Sequence, residues 1–321
     1  MPLVSVVIPM YNAEAFISGT LDSILQEQTV DLEVIVVNDG STDGSLNKVL
    51  AVQDHRIRVV DGPGKGISAS LNTGLAAVQS DIVMRCDADD QYPVGRISAQ
   101  VDWLSKHPDY GAVCGGFSTL NTNDRLITQF QPHNAPQEIT HELQNGITST
   151  HFCTFAVRTQ VLRAIEGCRH YFKTAEDIDV QLRIGEMCRV YYLPEVFYQY
   201  RLHDASITHI QSNSEREFFS MIAVELQRQR RLQGSDDIQR GCPPALPQSS
   251  EKEAMKAGEH IQQLLIHRAW QEHQAGQKIQ ALSTAARSVM TQPMTITAWS
   301  NLLALCIKPS GQKKNLKSDR S

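Results

Sequence analysis

LVSVVIPMYN, residues 3–12, opens with a β-branched run that Pro9 ends, and a similar run, LEVIVVNDG, follows at residues 32–40. Runs of this composition predict strands that are buried on both faces. The side chains between them form one helical stripe after Asn12, which we expect to cap the helix. The stripe consists of Ile17, Leu21, Ile24, Leu25 and Gln28. A strand, a helix and a second strand in this order predict a parallel pair with a crossover helix.

The same alternation continues to about residue 90. The further predicted elements are a helix over 42–52, a strand over 56–60, a helix over 68–78 and a strand over 82–85. Four β-α repeats predict an α/β fold with a mostly parallel central sheet and helices on both faces. Ligands bind such sheets at the carboxyl ends of the strands. Polar clusters occupy these four ends, at residues 9–12, 38–39, 61–62 and 87–90.

The composition limits the classes of function. The chain has 321 residues, of which 41% are hydrophobic, so it can bury a full core. The formal net charge of -5 gives no bulk attraction to nucleic acid, and we expect no nucleic-acid partner. Seven cysteines without a C-x-x-C pair fit a reducing compartment. We expect a cytoplasmic protein, because no basic leader and no run of about 18 apolar residues is present.

Three carboxylates follow the fourth predicted strand in MRCDADDQYP, residues 84–93. One interpretation is a turn that caps a helix beginning near Pro93, because Asp is a good capping residue. The other is a metal site. Two like charges about 4 Å apart repel by roughly 4 kcal/mol at an effective dielectric near 20, and a divalent cation relieves this cost. Oxygen ligands favour Mg²⁺ or Mn²⁺, which complete their shells with substrate phosphates. Composition alone leaves both interpretations open.

The glycine-rich stretch GPGKGI, residues 62–67, does not match a nucleotide-binding loop. Ile67 interrupts the pattern G-x-G-x-x-G, and Gly66 stands where a phosphate loop needs Ser or Thr after Gly-Lys. We therefore expect a turn that leads into the helix at Ser68, with amides at the N-terminus of that helix that can face phosphates.

Six motifs occur in a fixed order along the chain. They are SVVIPMYN at 5–12, VVNDGSTD at 36–43, GISASLNTG at 66–74, RCDADD at 85–90, TAEDID at 174–179 and YQYRLH at 198–203. In order and spacing they resemble family 2 glycosyltransferases with the GT-A fold, over about residues 3–208. The resemblance therefore implies a nucleotide-diphospho-sugar transferase fold, followed by a helical region that lies outside it.

The resemblance assigns roles in donor binding to residues of the predicted rim. Tyr11 would stack on the donor's base beside Pro9. Asp39 would accept a hydrogen bond from an N–H of the base, a pairing that favours uracil. The other donor contacts that the matching motifs imply are Asn12, Gly66, Asn72, Arg85, Asp87, Arg201 and His203.

The resemblance also implies a site for Mn²⁺ or Mg²⁺. Asp87 would lie near the ribose and the metal, and Asp89 would bind the cation that bridges the diphosphate. Arg85 would assist at the diphosphate. His203, beside Arg201, would contact the diphosphate or the metal, although a lone histidine on a polar stretch is as readily a surface residue.

Glu176 and Asp177 begin a further predicted helix. Acidic residues at a helix start commonly interact with the helix dipole, which is the structural alternative. The resemblance instead makes Asp177 the base that takes a proton from an acceptor hydroxyl. That hydroxyl would attack the sugar's anomeric carbon from the face opposite the leaving group, which inverts the carbon. Glu176 and Asp179 would then position the site.

We expect an inverting, metal-dependent enzyme that moves a single sugar from a nucleotide-sugar, UDP-linked, to a hydroxyl of a glycan or lipid-linked saccharide in cell-surface polysaccharide synthesis. Single-sugar addition is favoured because the Q-x-x-R-W segment of processive synthases is absent. The alternative is a catalytically silent nucleotide-sugar-binding scaffold protein, against which Asp87, Asp89 and Asp177 argue. Peripheral membrane contact stays open, and the sequence does not define the oligomeric state.

The composition divides the chain into four regions. They are a GT-A domain at 1–210, with a nucleotide-binding half at 1–110 and an acceptor half at 111–210, a helix and Pro-rich linker at 211–250, a helical C-terminal region at 251–306 and a basic, disordered tail at 307–321.

Overall fold

The computed structural model describes residues 4–204, 213–246 and 256–310. The chain forms two compact units. The first comprises Met1–Thr119, Gln129–Arg201 and Asn213–Lys252, and the second comprises Leu120–Thr128, Leu202–Ser212 and Glu253–Ser321. Both units therefore contain segments that are distant in sequence.

The described residues form one mixed sheet of nine strands. They are β1 (Val4–Met10), β2 (Leu32–Asn38), β3 (Ile57–Asp61), β4 (Ile82–Arg85), β5 (Ala112–Leu120), β6 (Leu126–Phe130), β7 (Gln137–Glu138), β8 (Ala156–Arg158) and β9 (Val190–Arg201). The strand order is β3-β2-β1-β4-β8-β5-β9-β7, and β6 pairs with β5. Strands β3, β2, β1 and β4 are parallel, whereas β8 is antiparallel to both β4 and β5.

The helices of the first unit cover both faces of this sheet. They are α1 (Ile17–Leu25), α2 (Ser45–Ala51), α3 (Ile67–Ala77), α4 (Arg96–Lys106), α5 (Thr140–Gln144), α6 (Thr159–Ala164), α7 (Glu176–Met187) and α8 (Asn213–Gln233). Alternate residues of β1 show the two layers, because Val6 packs in a core cluster with α1 whereas Val7 packs with Leu71 of α3. The predicted β-α alternation and GT-A architecture are confirmed.

Two predicted boundaries near the start of the chain are wrong. Helix α1 begins at Ile17 after Phe16, not after Asn12, whose backbone has a φ of 49°. Strand β1 continues through Pro9 to Met10. Pro9 has no N–H, yet the sheet loses no hydrogen bond. The backbone of Pro9 faces β4, and the hydrogen bonds between β1 and β4 end before it, where the Cys86 N–H donates to the Val7 carbonyl.

The region after Asp90 also differs from expectation. Helix α4 begins at Arg96 after Gly95, whose φ is 78°, and no side chain caps it. Residues 150–157 contain a 3-10 turn at Phe152–Thr154, followed by β8, and do not form one continuous strand. Asp90 therefore does not serve as the cap of a helix near Pro93.

Helix α8 packs in the first unit through Phe219, Ala223 and Leu226, which share a core cluster with Phe172 and Leu182. The helix predicted within 211–250 is thus present, but it packs with residues of the predicted transferase domain, so the boundary of the unit differs from residue 210.

The second unit contains three described helices, α9 (Ala257–Gln274), α10 (Lys278–Thr291) and α11 (Ile296–Ile307). Ala269, Ala285 and Leu305 form its core. The predicted helical C-terminal region is present in the described part, and residues 311–321 of the predicted tail lie outside the described residues. Every helix in the described ranges is too short or too polar to cross a bilayer.

Candidate active site

The Arg85 guanidinium, at the carboxyl end of β4, holds two carboxylates of the predicted site. Its Nε and Nη2 donate to Asp87 Oδ1 and Oδ2 at 2.7 and 3.1 Å, and its Nη1 donates to Glu176 Oε1 at 3.0 Å. Burial disfavours the charged guanidinium, but the charges of Asp87 and Glu176 help to raise the pKa of Arg85 above its ordinary value. Arg85 therefore binds α7 to the end of β4.

Asp90, in the loop at residues 87–90 that follows β4, is fully buried. Its Oδ1 accepts the Arg201 backbone N–H at 2.7 Å, and its Oδ2 accepts the Tyr198 hydroxyl at 2.6 Å. Burial, followed by the charges of Asp89 and Asp87, raises the pKa of Asp90 well above its ordinary value. Arg201 Nε also donates to the Asp89 carbonyl at 2.7 Å. Asp90 and Arg201 thus hold the 87–90 loop against β9, and a contact of Arg201 with a diphosphate stays a prediction.

The first turn of α7 carries Glu176, Asp177 and Asp179, and their partners differ. Glu176 pairs with Arg85, and Asp179 is fully buried and accepts from Arg183 Nε at 2.8 Å. Asp177 is half-buried, and within the described residues no hydrogen bond or ion pair engages its carboxylate. Burial raises the pKa of Glu176, although Arg85 opposes this shift. Asp177 is therefore the acid of this turn that stays available.

His151 is a site residue that the sequence analysis missed. It lies within electrostatic range of Asp177, Arg85 and Asp87, and its exposed ring stacks on Tyr200 with 5.9 Å between centroids. Because β8 runs antiparallel to β4, the residues before β8 reach the carboxyl end of β4. No local pattern reveals this pairing, so the sequence carried no signal for His151.

Asp39 organises the glycine-rich turn after β3. Its Oδ1 and Oδ2 accept the N–H groups of Gly64 and Gly66 at 2.8 and 2.9 Å. Gly64 and Gly66 have φ values of 65° and 86°, a region in which glycine is not strained. The predicted turn into α3 is confirmed, and the amide of Gly66 is occupied by Asp39. The contact of Asp39 with a base stays a prediction.

The loop after β1 presents the predicted base-stacking residue. Tyr11 is 63% exposed, and Pro9 lies two residues before it in β1. Asn12 Oδ1 accepts the Thr42 N–H at 2.8 Å, so the Asn12 side chain joins the loops that follow β1 and β2. The loop that carries Tyr11 is thereby joined to the loop after β2.

A cavity of about 870 Å³ adjoins this rim at the start of α3. Its lining includes Lys65, Gly66, Asn72, His170 and Lys173. The Asn72 side chain donates to the Cys168 carbonyl at 2.7 Å and accepts the Cys168 N–H at 2.8 Å. Asn72 therefore anchors the 168 loop, and its contact with a donor stays a prediction.

The carboxylates at the end of β4 suit a hard cation with few protein ligands. The described residues contain no group of three or more His, Cys, Asp or Glu side chains able to hold a metal. Mg²⁺ commonly needs only one or two carboxylates, with phosphates and water completing its shell. Arg85 donates to both oxygens of Asp87, and half-buried Asp89 follows two residues later in the same loop. Which of these carboxylates would bind a cation stays a prediction. His203 belongs to the second unit, and its role at a metal stays a prediction.

Comparison with known proteins identifies the family to which the chain belongs. The model of the family "Glycosyl transferase family 2" matches residues 5–166, which is half of the chain. The chain belongs to glycosyl transferase family 2. The matched range covers the parallel strands, the 87–90 loop and His151, while Asp177 lies after it.

Individual relatives and solved structures match different shares of the chain. The chondroitin synthase of Pasteurella multocida is 27% identical over 234 residues, which are 72% of this chain and 24% of that protein. The chain spans about a quarter of the length of the first curated relatives. The crystal structure of S. aureus TarS 1-349 with UDP-GlcNAc matches with a TM-score of 0.59 and 16% identity, over 94% of this chain and 79% of that one. The mannosyltransferase PcManGT from Pyrobaculum calidifontis, in complex with GDP-Man and Mn²⁺, gives 0.50 and 21%, over the same shares.

Proposed function

We propose that this family 2 member is a cytoplasmic, inverting glycosyltransferase that moves one sugar from a nucleotide-sugar to a hydroxyl of a glycan or lipid-linked saccharide in cell-surface polysaccharide synthesis. One observation carries the proposal. Of the three acids in the first turn of α7, Asp177 alone has no hydrogen bond or ion pair within the described residues, while Arg85 and Arg183 engage the other two. A general base needs such an available carboxylate beside the reacting centre.

The donor that we propose is a UDP-sugar. TarS was crystallised with UDP-GlcNAc, and this supports a uracil base in the site. The Asp39 N–H donates to the carbonyl of Met10 at 2.8 Å, next to exposed Tyr11, which supports the same base. Lys65 and Lys173 line the neighbouring cavity, and their charges complement a diphosphate. The chondroitin synthase among the relatives supports a growing polysaccharide as the acceptor.

We propose that Asp89, with Asp87 beside it, holds a divalent cation against the donor diphosphate. The Mn²⁺ in the PcManGT complex supports this part of the proposal. When bound, the cation stabilises the negative charge of the leaving nucleoside diphosphate. Arg85 fixes the position of Asp87 through an ion pair, and Tyr198 and the Arg201 backbone hold Asp90 through hydrogen bonds.

In this proposal Asp177 takes the proton of the acceptor hydroxyl as the oxygen attacks the anomeric carbon. Glu176 does not compete for this proton, because its carboxylate is buried and bound to Arg85. Asp179 and Arg183 hold the following turn of α7, so the base stays aligned. His151 lies within electrostatic range of Asp177, and its ring packs on Phe117 and Tyr200.

The substitution Asp177→Asn tests the proposal. We expect a loss of sugar transfer of roughly 10²–10⁴-fold, because the amide cannot accept the proton. Donor affinity should persist, since Asp177 contacts the acceptor. The measurement is nucleoside diphosphate release from a panel of UDP-sugars with Mn²⁺ and oligosaccharide acceptors, with calorimetry for donor binding. Chelation should abolish transfer by the wild type.

The matched control is Asp81→Asn. Asp81 is an exposed aspartate that precedes β4, at the end opposite Asp87, and this variant should transfer at the wild-type rate. Unchanged transfer by Asp177→Asn would refute the base assignment. A wild type that binds UDP-sugars and transfers to no acceptor would support the scaffold alternative instead.

A further inference from the structure

Helix α11 has an exposed apolar stripe. Ile296, Trp299, Leu303 and Ile307 are 83, 49, 59 and 81% exposed. They follow one another at intervals of three or four residues, so they lie along one side of the helix. We refer to these four residues as the α11 stripe.

The opposite side of α11 forms the core of the second unit. Ala298 and Leu305 are fully buried, and Leu305 packs with Ala269 and Ala285. The helix, ITAWSNLLALCI, contains no charged residue. One side of α11 thus contributes to the core of the unit. The stripe on the other side is additional apolar surface, which proteins rarely expose without a partner.

Trp299 is held in place at the start of the stripe. Its Nε1 donates to the Pro293 carbonyl at 2.8 Å, which satisfies the polar atom of the ring and leaves its apolar face outward. A tryptophan in this state is typical of the boundary between lipid headgroups and acyl chains.

The sequence that follows α11 is rich in basic residues. Residues 308–321 contain four lysines and one arginine against a single aspartate. Leu316 is their one large apolar side chain. Basic residues directly after an apolar helix complement an anionic lipid surface. A second copy of the chain would bring the same positive charge, which is not complementary.

The length of α11 sets how it can meet a bilayer. Twelve residues extend about 18 Å, well short of the roughly 30 Å hydrocarbon core. We propose that the α11 stripe lies in the surface of an anionic membrane, with the basic residues after it bound to lipid phosphates. This assigns a membrane-docking surface to the second unit, and it does not depend on the proposed transfer reaction.

Vesicle flotation of the full chain, without donor or acceptor, tests the proposal. We expect binding to vesicles of phosphatidylcholine with phosphatidylserine, and not to phosphatidylcholine alone. Leu303→Glu should weaken the partition coefficient by about tenfold or more, because it places charge in the apolar contact. Replacing Lys308, Lys313, Lys314 and Lys317 by Gln should weaken it on the order of a hundredfold. Binding should also fall in 1 M salt, where the screening length is about 3 Å.

Leu50→Glu is the matched control. Leu50 is a leucine of similar exposure, 63%, on α2 of the first unit, and its substitution should leave flotation unchanged. Bromine-labelled lipid should quench Trp299, and Trp299→Phe should float while losing that quenching. Unfolding curves that coincide for all variants exclude loss of the fold as the cause.

Two results would overturn the proposal. One is wild-type protein that does not float with phosphatidylserine vesicles, or that floats as well after Leu303→Glu. The other is a dimer in sedimentation that Leu303→Glu dissociates while vesicles are not bound, because the stripe would then belong to an interface between copies.

Discussion

At the scale of single residues, the three aspartates of MRCDADDQYP have three different environments. Asp87 is bound by Arg85, and Asp90 is buried under Tyr198 and the Arg201 backbone. Asp89 stays half-buried at the rim. The protein itself therefore relieves part of the repulsion among these aspartates, through Arg85 at Asp87 and through the two hydrogen bonds to Asp90.

Tyr198→Phe tests the support of this loop. The Tyr198 hydroxyl donates to Asp90 Oδ2 and accepts the Asp87 N–H at 3.0 Å, and its loss leaves buried Asp90 and the half-buried Asp87 amide without that partner. We expect the free energy of unfolding to fall by about 1–3 kcal/mol in urea titrations. Donor binding should weaken too, since the loop that carries Asp89 loses an anchor.

Tyr191→Phe controls for the loss of a hydroxyl. Within the described residues the Tyr191 hydroxyl makes no hydrogen bond, and its ring packs on Trp103. This variant should change the free energy of unfolding by less than about 0.5 kcal/mol. Equal stability of Tyr198→Phe and wild type would mean that Asp90 does not depend on the hydroxyl.

At the scale of elements, Arg56 binds backbone carbonyls at the carboxyl end of α1 and just after it. It precedes β3, and its Nη1 and Nη2 donate to the carbonyls of Glu27 and Leu25 at 2.7 and 2.8 Å. These carbonyls lack partners within the helix. Asp54 orients the guanidinium through Arg56 Nε at 3.0 Å. This pair therefore connects the first crossover helix to the start of β3.

Asp54→Asn gives a pH-dependent loss of stability. The hydrogen bond from Arg56 lowers the pKa of Asp54 to about 2, from an ordinary 3.8. The folded chain then binds fewer protons than the unfolded chain between these values, so the contribution is complete above the ordinary pKa and is lost as pH falls toward 2. We expect Asn to cost about 1–2 kcal/mol at pH 7 and almost nothing near pH 2.

The measurement is the free energy of unfolding of both proteins from pH 7 to pH 2. Asp31→Asn is the control, because Asp31 is exposed and its carboxylate makes no ion pair within the described residues. A difference between Asp54→Asn and wild type that stays constant with pH would refute the assigned pairing.

At the scale of the whole molecule, each compact unit is assembled from three segments of the chain. In the second unit, Asp204 Oδ1 accepts the Ala257 N–H at 3.0 Å at the N-terminus of α9. Arg287 of α10 donates to the Leu126 carbonyl at 3.1 Å. The unit of the C-terminal helices therefore includes Leu120–Thr128, the turn that connects β5 to β6.

Asp204→Ala tests this arrangement. Loss of a carboxylate at a helix N-terminus should cost about 0.5–2 kcal/mol, because an amide and the helix dipole lose their partner. Hydrogen exchange should accelerate in α9 and stay unchanged in α1. Asp22→Ala, on the exposed side of α1, is the control for a lost surface charge. Exchange that accelerates equally in both helices would contradict a local cap.

The β-α repeats were predictable because their information is local. The runs that became β1 and β2 are apolar throughout, and the period of α1 repeats within nine residues. The common edge at which these strands end was predictable as well, because the parallel register aligns Met10 at the end of β1 with Asn38 at the end of β2. The predicted helix starts near Asn12 and Pro93 were wrong. The side chain of Asn12 bonds to Thr42 instead of capping a helix, and α4 begins at Arg96 without a side-chain cap.

The sequence alone determined the family, the parallel sheet and the place of Asp87, Asp89 and Asp177 in its motifs, because these depend on short patterns in a fixed order. Only the tertiary structure decided which acids are engaged and which is available. Arg85 meets Glu176 across 91 positions and Asp90 meets Tyr198 across 108, so no local spacing encodes either pair. It also decided that α11 shows apolar residues on two sides, of which its own unit covers one.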